Sequence, residues 1–142
     1  MEYRNNPKNG NRVSLVGMGC MRLPVLCGDG GEIDAALGQQ MVDAAYAAGV
    51  NYFDTAYPYH GGKSEAFIGK ALSQYPRESY FLADKFPVWK PETEADLQPI
   101  FEEQLARCGV EYFDYYLCHA IGAERFEKVE RLQLYAFLQQ KK

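Results

Sequence analysis

Asp34-Ala35-Ala36-Leu37-Gly38-Gln39-Gln40-Met41-Val42-Asp43-Ala44-Ala45-Tyr46-Ala47-Ala48-Gly49-Val50-Asn51-Tyr52-Phe53-Asp54 is the stretch that decides the fold. Asp34 has the short carboxylate that accepts from the free N–H groups opening a helix. Ile33, Leu37, Met41, Ala44, Ala45 and Ala48 recur at three- and four-residue spacing, which predicts a helix to about Ala48 with one apolar face. Gly49 suits the left-handed position that closes a helix. Residues 50–54 then read as a short buried strand, and that strand ends in an acid, Asp54.

The same unit of helix, short loop and apolar strand recurs twice downstream. Ser64 is placed to cap a second helix, with Phe67, Ile68, Ala71, Leu72 and Tyr75 at helical spacing, and residues 79–86 follow as a strand. A third helix begins at Asp96. A start at the capping-box pattern Thr93-x-x-Asp96 puts Pro99 deep in the helix, whereas a start at Asp96 leaves Pro99 harmless in the first turn. Its buried stripe is Leu97, Ile100, Phe101, Leu105 and Cys108; Gly109 closes it and residues 112–119 form the next strand. From Ala123 the chain is again helical, with Phe126, Val129, Phe137 and Leu138 as core positions. Ahead of all this, residues 2–6 and 11–19 read as a hairpin turning at Pro7-Lys8-Asn9-Gly10, where Asn-Gly supplies the positive φ of a tight turn. Gly28-Asp29-Gly30-Gly31 reads as a flexible loop. Helices alternating with short buried strands imply an α/β fold with a parallel sheet. An open doubly wound sheet and part of a (β/α)₈ barrel both fit this pattern.

Composition narrows the function classes. The 142 residues are 47% hydrophobic and 24% charged, with a net charge of −4, so one domain with a real core is expected over 1–142. Mild acidity and the lack of a basic cluster argue against nucleic acid or an anionic membrane as partner. No run approaches the roughly 18 apolar residues of a membrane span, and the N-terminus has no apolar secretory core; a cytoplasmic location is expected. Cys20, Cys27, Cys108 and Cys118 form no C-x-x-C pair, and no metal-ligand spacing is present.

Chemistry collects at the strand ends. In a barrel the C-terminal rim carries the catalytic groups. Here the strand ends bring Asp54, with Tyr59 in the following loop, then Asp84-Lys85, then Cys118-His119. Singly, each has an ordinary structural reading: a turn former, one of 11 tyrosines, a solvated rim lysine, a strand-end histidine. An acid, a phenol, an ammonium and an imidazole reaching one rim from successive strands carry the functional reading. Gly17-x-Gly19 is not a dinucleotide fingerprint, since Arg22 stands where the third glycine belongs. His60-Gly61-Gly62 lacks the Gly-x-Ser-x-Gly elbow of an esterase.

Asn51-Tyr52-Phe53-Asp54-Thr55-Ala56-Tyr57-Pro58-Tyr59 with Gly61-Gly62-Lys63-Ser64-Glu65 closely resembles the aldo-keto reductase pattern of a strand-end aspartate, a tyrosine five residues on, and Gly-x-Ser-Glu opening a helix. Leu82-Ala83-Asp84-Lys85-Phe86, the passage from Leu105 to His119, and Val16-Gly17-Met18-Gly19-Cys20-Met21-Arg22 are similar to three further motifs of that family. The resemblance covers nearly the whole chain. It implies a partial (β/α)₈ TIM barrel: an N-terminal hairpin plugging the floor, the first strand within 1–19, and the remaining βα units over 32–142, about four in all. It also implies NADPH-dependent reduction of a small aldehyde or ketone by Asp54, Tyr59, Lys85 and His119. In that reading Tyr59 is the general acid and Lys85 is the neighbouring ammonium that eases proton release from a phenol. Asp54 fixes Lys85, and His119 orients the carbonyl. Cys20, Met21 and Asp54 are the residues that would meet the nicotinamide end of NADP(H).

A full (β/α)₈ barrel takes about 250 residues. This chain therefore reads as the N-terminal half of such a barrel, with weak cofactor binding, impaired activity and open edges that invite self-association. A non-catalytic remnant or interaction module of the same descent is the alternative reading. A Schiff-base aldolase using Lys85 is a third, disfavoured because it has no need of Asp54 and Tyr59. The motif Tyr57-Pro58-Tyr59-His60-Gly61-Gly62-Lys63-Ser64-Glu65, with Cys20-Met21-Arg22-Leu23-Pro24, most resembles a bacterial branch whose longer members end in a ferredoxin-like, iron–sulfur domain.

Overall fold

The computed structural model describes residues 1–26 and 31–141. A hairpin of β1 (Tyr3–Asn5) and β2 (Arg12–Ser14) precedes a four-stranded sheet. The sheet strands are β3 (Met18–Gly19), β4 (Tyr52–Asp54), β5 (Phe81–Phe86) and β6 (Tyr115–Cys118), all parallel and in chain order. Between and after them run α1 (Ala35–Ala47), α2 (Ser64–Leu72), α3 (Leu97–Cys108), α4 (Ala123–Arg131) and α5 (Leu134–Gln139). Strand order decides between the two architectures left open by the pattern. A doubly wound sheet reverses direction at a switch point, whereas four strands in unbroken order are the winding of a barrel. The fold is a partial α/β barrel.

Side-chain alternation divides the sheet. Phe53, Leu82 and Phe86 turn outward and are fully buried beneath the helices. With Val42, Ile68, Leu72 and Cys20 the first two belong to one apolar core; Phe86 belongs to a second with Val88, Leu97, Ile100, Val129 and Leu134. The opposite, concave face carries Tyr52, Phe81 and Tyr115, whose rings meet at 5.2 and 5.9 Å. The hairpin seals the N-terminal end of this face. Asn51 ties it to β4, accepting from the Ser14 N–H at 2.8 Å and donating to the Arg12 carbonyl at 2.9 Å, and Asn11 reaches the Tyr115 hydroxyl at 3.3 Å.

Several elements differ from their sequence reading. The single strand expected over 11–19 is two, because Ser14 folds back to donate to the Val16 carbonyl at 2.7 Å and the chain bends from floor to sheet at Leu15–Gly17. In the hairpin turn only Gly10 takes a positive φ, not Asn9. Asp34 does cap α1, accepting from the Leu37 N–H at 3.0 Å. The buried face of α1, however, runs through Gly38 and Val42, while Leu37 and Met41 are exposed. The ring of Phe67 lies where a Gly38 side chain would stand, which turns that side of the helix inward. Ser64 is no cap: its hydroxyl is buried against Thr55 Oγ1 at 3.0 Å, and Lys63 occupies the cap position. The Thr93–Asp96 capping box, set aside on sequence, forms around a 3₁₀ turn, and α3 starts after it with Pro99 in its first turn. The C-terminal helix is broken at Gln133, which has φ 50°; Phe126 is exposed and Leu132 and Leu134 are buried in its place. Most of the Gly28–Gly31 loop, and Cys27, lie outside the described residues.

The tightest helix contact is α2 on α3. A Cβ built on Gly69 lies 2.0 Å from the carbonyl oxygen of Cys108, so only glycine allows this approach. Gly69→Ala is expected to force the helices apart and cost at least about 2 kcal/mol of unfolding free energy. Gly122→Ala, whose Cβ meets nothing within 4 Å, serves as the control. Urea unfolding checks this; equal midpoints for the two variants contradict the packing described.

Candidate active site

Parallel register places the site. Asp54 is paired with Ala83, so Lys85 stands two residues further along β5 on the same concave face. Its ammonium donates to Asp54 Oδ1 at 2.5 Å and to the Thr55 carbonyl at 2.7 Å. The same nitrogen lies 4.9 Å from the centre of the Tyr59 ring. His119 follows β6, its N–H donating to the Phe86 carbonyl at 2.9 Å, and its ring meets that of Tyr59 edge-on with centroids 5.8 Å apart. All four candidate residues therefore converge on one rim, opposite the hairpin.

Tyr59 is aimed by its loop. It opens a 3₁₀ turn, Tyr59–Gly62, in which His60, Gly61 and Gly62 all take positive φ. Two glycines ease that path, while the strained His60 is held by a bond in which its Nε2 accepts from the Leu23 N–H at 3.1 Å. The loop ends in the buried Thr55–Ser64 hydroxyl pair, from which Ser64 also reaches the Cys20 carbonyl at 3.4 Å. None of these contacts has a sequence signal beyond the rarity of histidine.

Electrostatics at the rim are asymmetric. Burial, then the positive charge of Lys85, hold the His119 pKa below its ordinary value, so the imidazole is neutral near pH 7. Its Nδ1 is buried with no hydrogen-bond partner among the described residues. Trp89, which sequence reading passed over, packs on His119 with ring centroids 5.2 Å apart and walls one side of the rim. The residue was findable as the one tryptophan of the chain, three residues past a chemistry-bearing strand end.

The cofactor candidates fare unequally. Asp54 is partly exposed and Met21 is half exposed at the rim. Cys20 is fully buried, and burial first, then the charge of Asp54, push its thiol up to about 12. Its side chain faces the core, leaving only its backbone near the rim. A concavity of about 380 Å³ runs along the outer edge of β3 from the hairpin, at Val13, Ser14 and Leu15, past Gly17, Met18, Gly19 and Tyr52 to Asp54. Gly19 has open space where a side chain would stand. The polar groups that a nicotinamide ring would meet stand at the rim end of this hollow and beyond it: Asp54, held by Lys85, and the His119 imidazole, whose buried Nδ1 has no partner among the described residues. Among the described residues no three His, Cys, Asp or Glu side chains gather as a metal site, and no helix is long and apolar enough to cross a membrane.

Comparison with known proteins identifies the family. The model of the aldo/keto reductase family matches residues 15–140. L-galactose dehydrogenase of Arabidopsis thaliana is 35% identical over 127 residues, covering 85% of this chain and 39% of that protein. An aldo-keto reductase from Bacillus halodurans superposes with a TM-score of 0.71 at 27% identity, over 95% of this chain and 47% of that one. The Klebsiella pneumoniae aldo-keto reductase in complex with NADPH gives a TM-score of 0.62 at 26% identity, over 89% and 43%. The chain thus spans between a third and two fifths of the curated relatives it matches, and about half of the solved barrels.

The depressed His119 pKa yields a signed prediction. A lowered histidine pKa contributes stability above the ordinary value of about 6.5, lost as pH falls through the folded value. Lys85→Met removes the charge that opposes protonation and leaves Asp54, which favours it. The His119 pKa is therefore expected to rise, read by imidazole NMR titration; an unchanged or lower value contradicts the geometry.

Proposed function

The chain belongs to the aldo/keto reductase family, and on that footing we propose that its rim reduces the carbonyl of a small aldehyde or ketone to an alcohol, with NADPH as hydride donor. The observation that carries this reading is the Lys85–Asp54 ion pair lying against the Tyr59 ring, with His119 facing it. When bound, NADPH supplies the hydride that reaches the carbonyl carbon. Tyr59 donates its phenolic proton to the developing alkoxide oxygen, completing the alcohol. Lys85 stabilises the phenolate left behind, and Asp54 with the Thr55 carbonyl keeps that ammonium in place. Neutral His119 donates an N–H to the carbonyl oxygen and sets its angle of approach. Trp89 excludes water from one flank of the rim. Asp54, Met21 and the backbone at Cys20 are the groups that would meet the nicotinamide end.

Because the chain spans about half of the solved barrels, NADP(H) binding by these 142 residues alone is proposed to be weak and turnover slow. β3 and β6 are the outer strands of the sheet, and Leu15, Val16, Leu117 and Ile121 stand exposed beside them, which favours self-association through those edges. A cytoplasmic location belongs to the same reading. The second reading, a non-catalytic module of the same descent, draws on the same open edges.

An NADPH-dependent assay of aldehyde reduction separates the two. Slow turnover that falls at least about 100-fold in Tyr59→Phe is expected; equal rates in both proteins sink the reductase reading. Fluorescence titration of the same sample is expected to give binding weaker than micromolar, that is, weaker than about −8 kcal/mol. A stable, dispersed monomer in sedimentation contradicts self-association.

A further inference from the structure

Lys85 is held from the concave side by Asp54; a second set of groups holds it from behind. Neighbours on a strand face opposite ways, so Asp84 points into the layer between β5 and the helices, where it is fully buried. Glu65 of α2 and Gln104 of α3 are fully buried with it. Gln104 Nε2 donates to Glu65 Oε1 at 2.8 Å, to Asp84 Oδ2 at 2.9 Å and to the Lys85 carbonyl at 3.1 Å. The Tyr116 hydroxyl donates to Gln104 Oε1 at 2.5 Å, and the three oxygens at the other end of the amide place its nitrogen there. Asp84 Oδ1 in turn accepts from the Lys85 N–H at 2.8 Å. Both backbone polar groups of Lys85 are thus gripped by this cluster.

Two counts in the cluster do not balance without a further proton. An amide nitrogen carries two hydrogens, yet three oxygens surround that of Gln104. Of the two buried carboxyls, Glu65 has the Arg107 guanidinium at 3.0 Å from its Oε2; Asp84 has no cation paired with it among the described residues, and the Lys85 ammonium is on the other face with Asp54. A second buried carboxylate with no cation of its own is costly. We propose that Asp84 keeps its proton at neutral pH, and that neutral Asp84, Gln104 and Glu65 form a clamp that positions Lys85 for the rim.

The surroundings agree. Burial, then the charge of Glu65, drive the Asp84 carboxyl well above the ordinary carboxylate range. The other titratable groups facing it are Cys20 after β3, Cys108 on α3 and Tyr116 on β6, each pushed up by burial and so neutral. Lys85 and Arg107 are the cations nearby. These are positioning residues, since none reaches the rim. Their importance for turnover rests on the reductase reading; their protonation and their hold on Lys85 do not.

The test is NMR on the full chain. The Asp84 carboxyl carbon is expected to stay in its protonated position from about pH 5 to about pH 8, where ordinary carboxylates are ionised. Raised in the folded state, this group favours folding below the ordinary carboxyl pKa and loses that contribution as pH rises through the folded value. Asp84→Asn, which keeps a neutral donor, should retain the cross-peak between the Lys85 side chain and the Tyr59 ring and flatten the alkaline loss of stability. Gln104→Leu should lose the cross-peak; Tyr116→Phe, a milder change, should weaken it if Gln104→Leu does not fold. An Asp84 carbon that titrates with the exposed carboxylates overturns the proposal, as does a Lys85–Tyr59 cross-peak left unchanged by Gln104→Leu, or by Tyr116→Phe where Gln104→Leu does not fold. Turnover that ignores Tyr59→Phe sinks the reductase reading and leaves these readouts untouched.

Discussion

The ion pair between Lys85 and Asp54 is the constraint from which the rest of the site follows. It exists because β4 and β5 run parallel in a register that sets Asp54 opposite Ala83, so Lys85 emerges one inward-facing step higher. A one-residue slip of either strand would turn its own member of the pair into the helix layer. The pair does two things at once: it restrains a long cationic side chain, and it holds a positive charge against the Tyr59 ring.

What surrounds that pair is arranged to keep it still. Outside the sheet, two apolar cores grip β4, β5 and the helices, and Gly69 lets α2 and α3 meet backbone to backbone. Below, the hairpin is laced to β4 through both ends of the Asn51 side chain. Above, the loop carrying Tyr59 is pinned by His60 and by the Thr55–Ser64 pair. At the rim Asp54 is left partly exposed, His119 Nδ1 has no partner among the described residues, and Trp89 stands alongside. Rigidity in the scaffold and open hydrogen-bonding capacity at one end is the distribution a positioned reaction needs.

Much of this was legible in the sequence because strands leave a strong local trace. Residues 50–54, 79–86 and 112–119 are short apolar runs bounded by turn residues, and the chemistry stands at their ends, so the rim could be named from Asp54, Lys85 and His119 before any geometry. Winding was not legible, since the pattern of helix and strand is the same in a barrel and an open sheet; strand order settles that. Helix faces were read less well. Leu37 and Met41 looked buried because they are large, and Gly38 was passed over, although its missing side chain is what lets Phe67 in. Gln104 escaped for the opposite reason: a polar residue on a buried stripe violates the apolar rule, and only its three acceptors explain it. Cys20 is a middle case, correctly placed after the first sheet strand but turned into the core.

The central claim is that the rim built around Lys85 receives the nicotinamide end of NADPH. Chemical-shift mapping on isotope-labelled protein during titration with NADPH tests it most directly. The account predicts that the side-chain signals of Lys85, Tyr59, His119 and Met21 move together and saturate, while those of the floor hairpin from Tyr3 to Ser14 stay fixed. Shifts confined to the hairpin or the helix layer, with the rim signals unmoved at saturation, would contradict it.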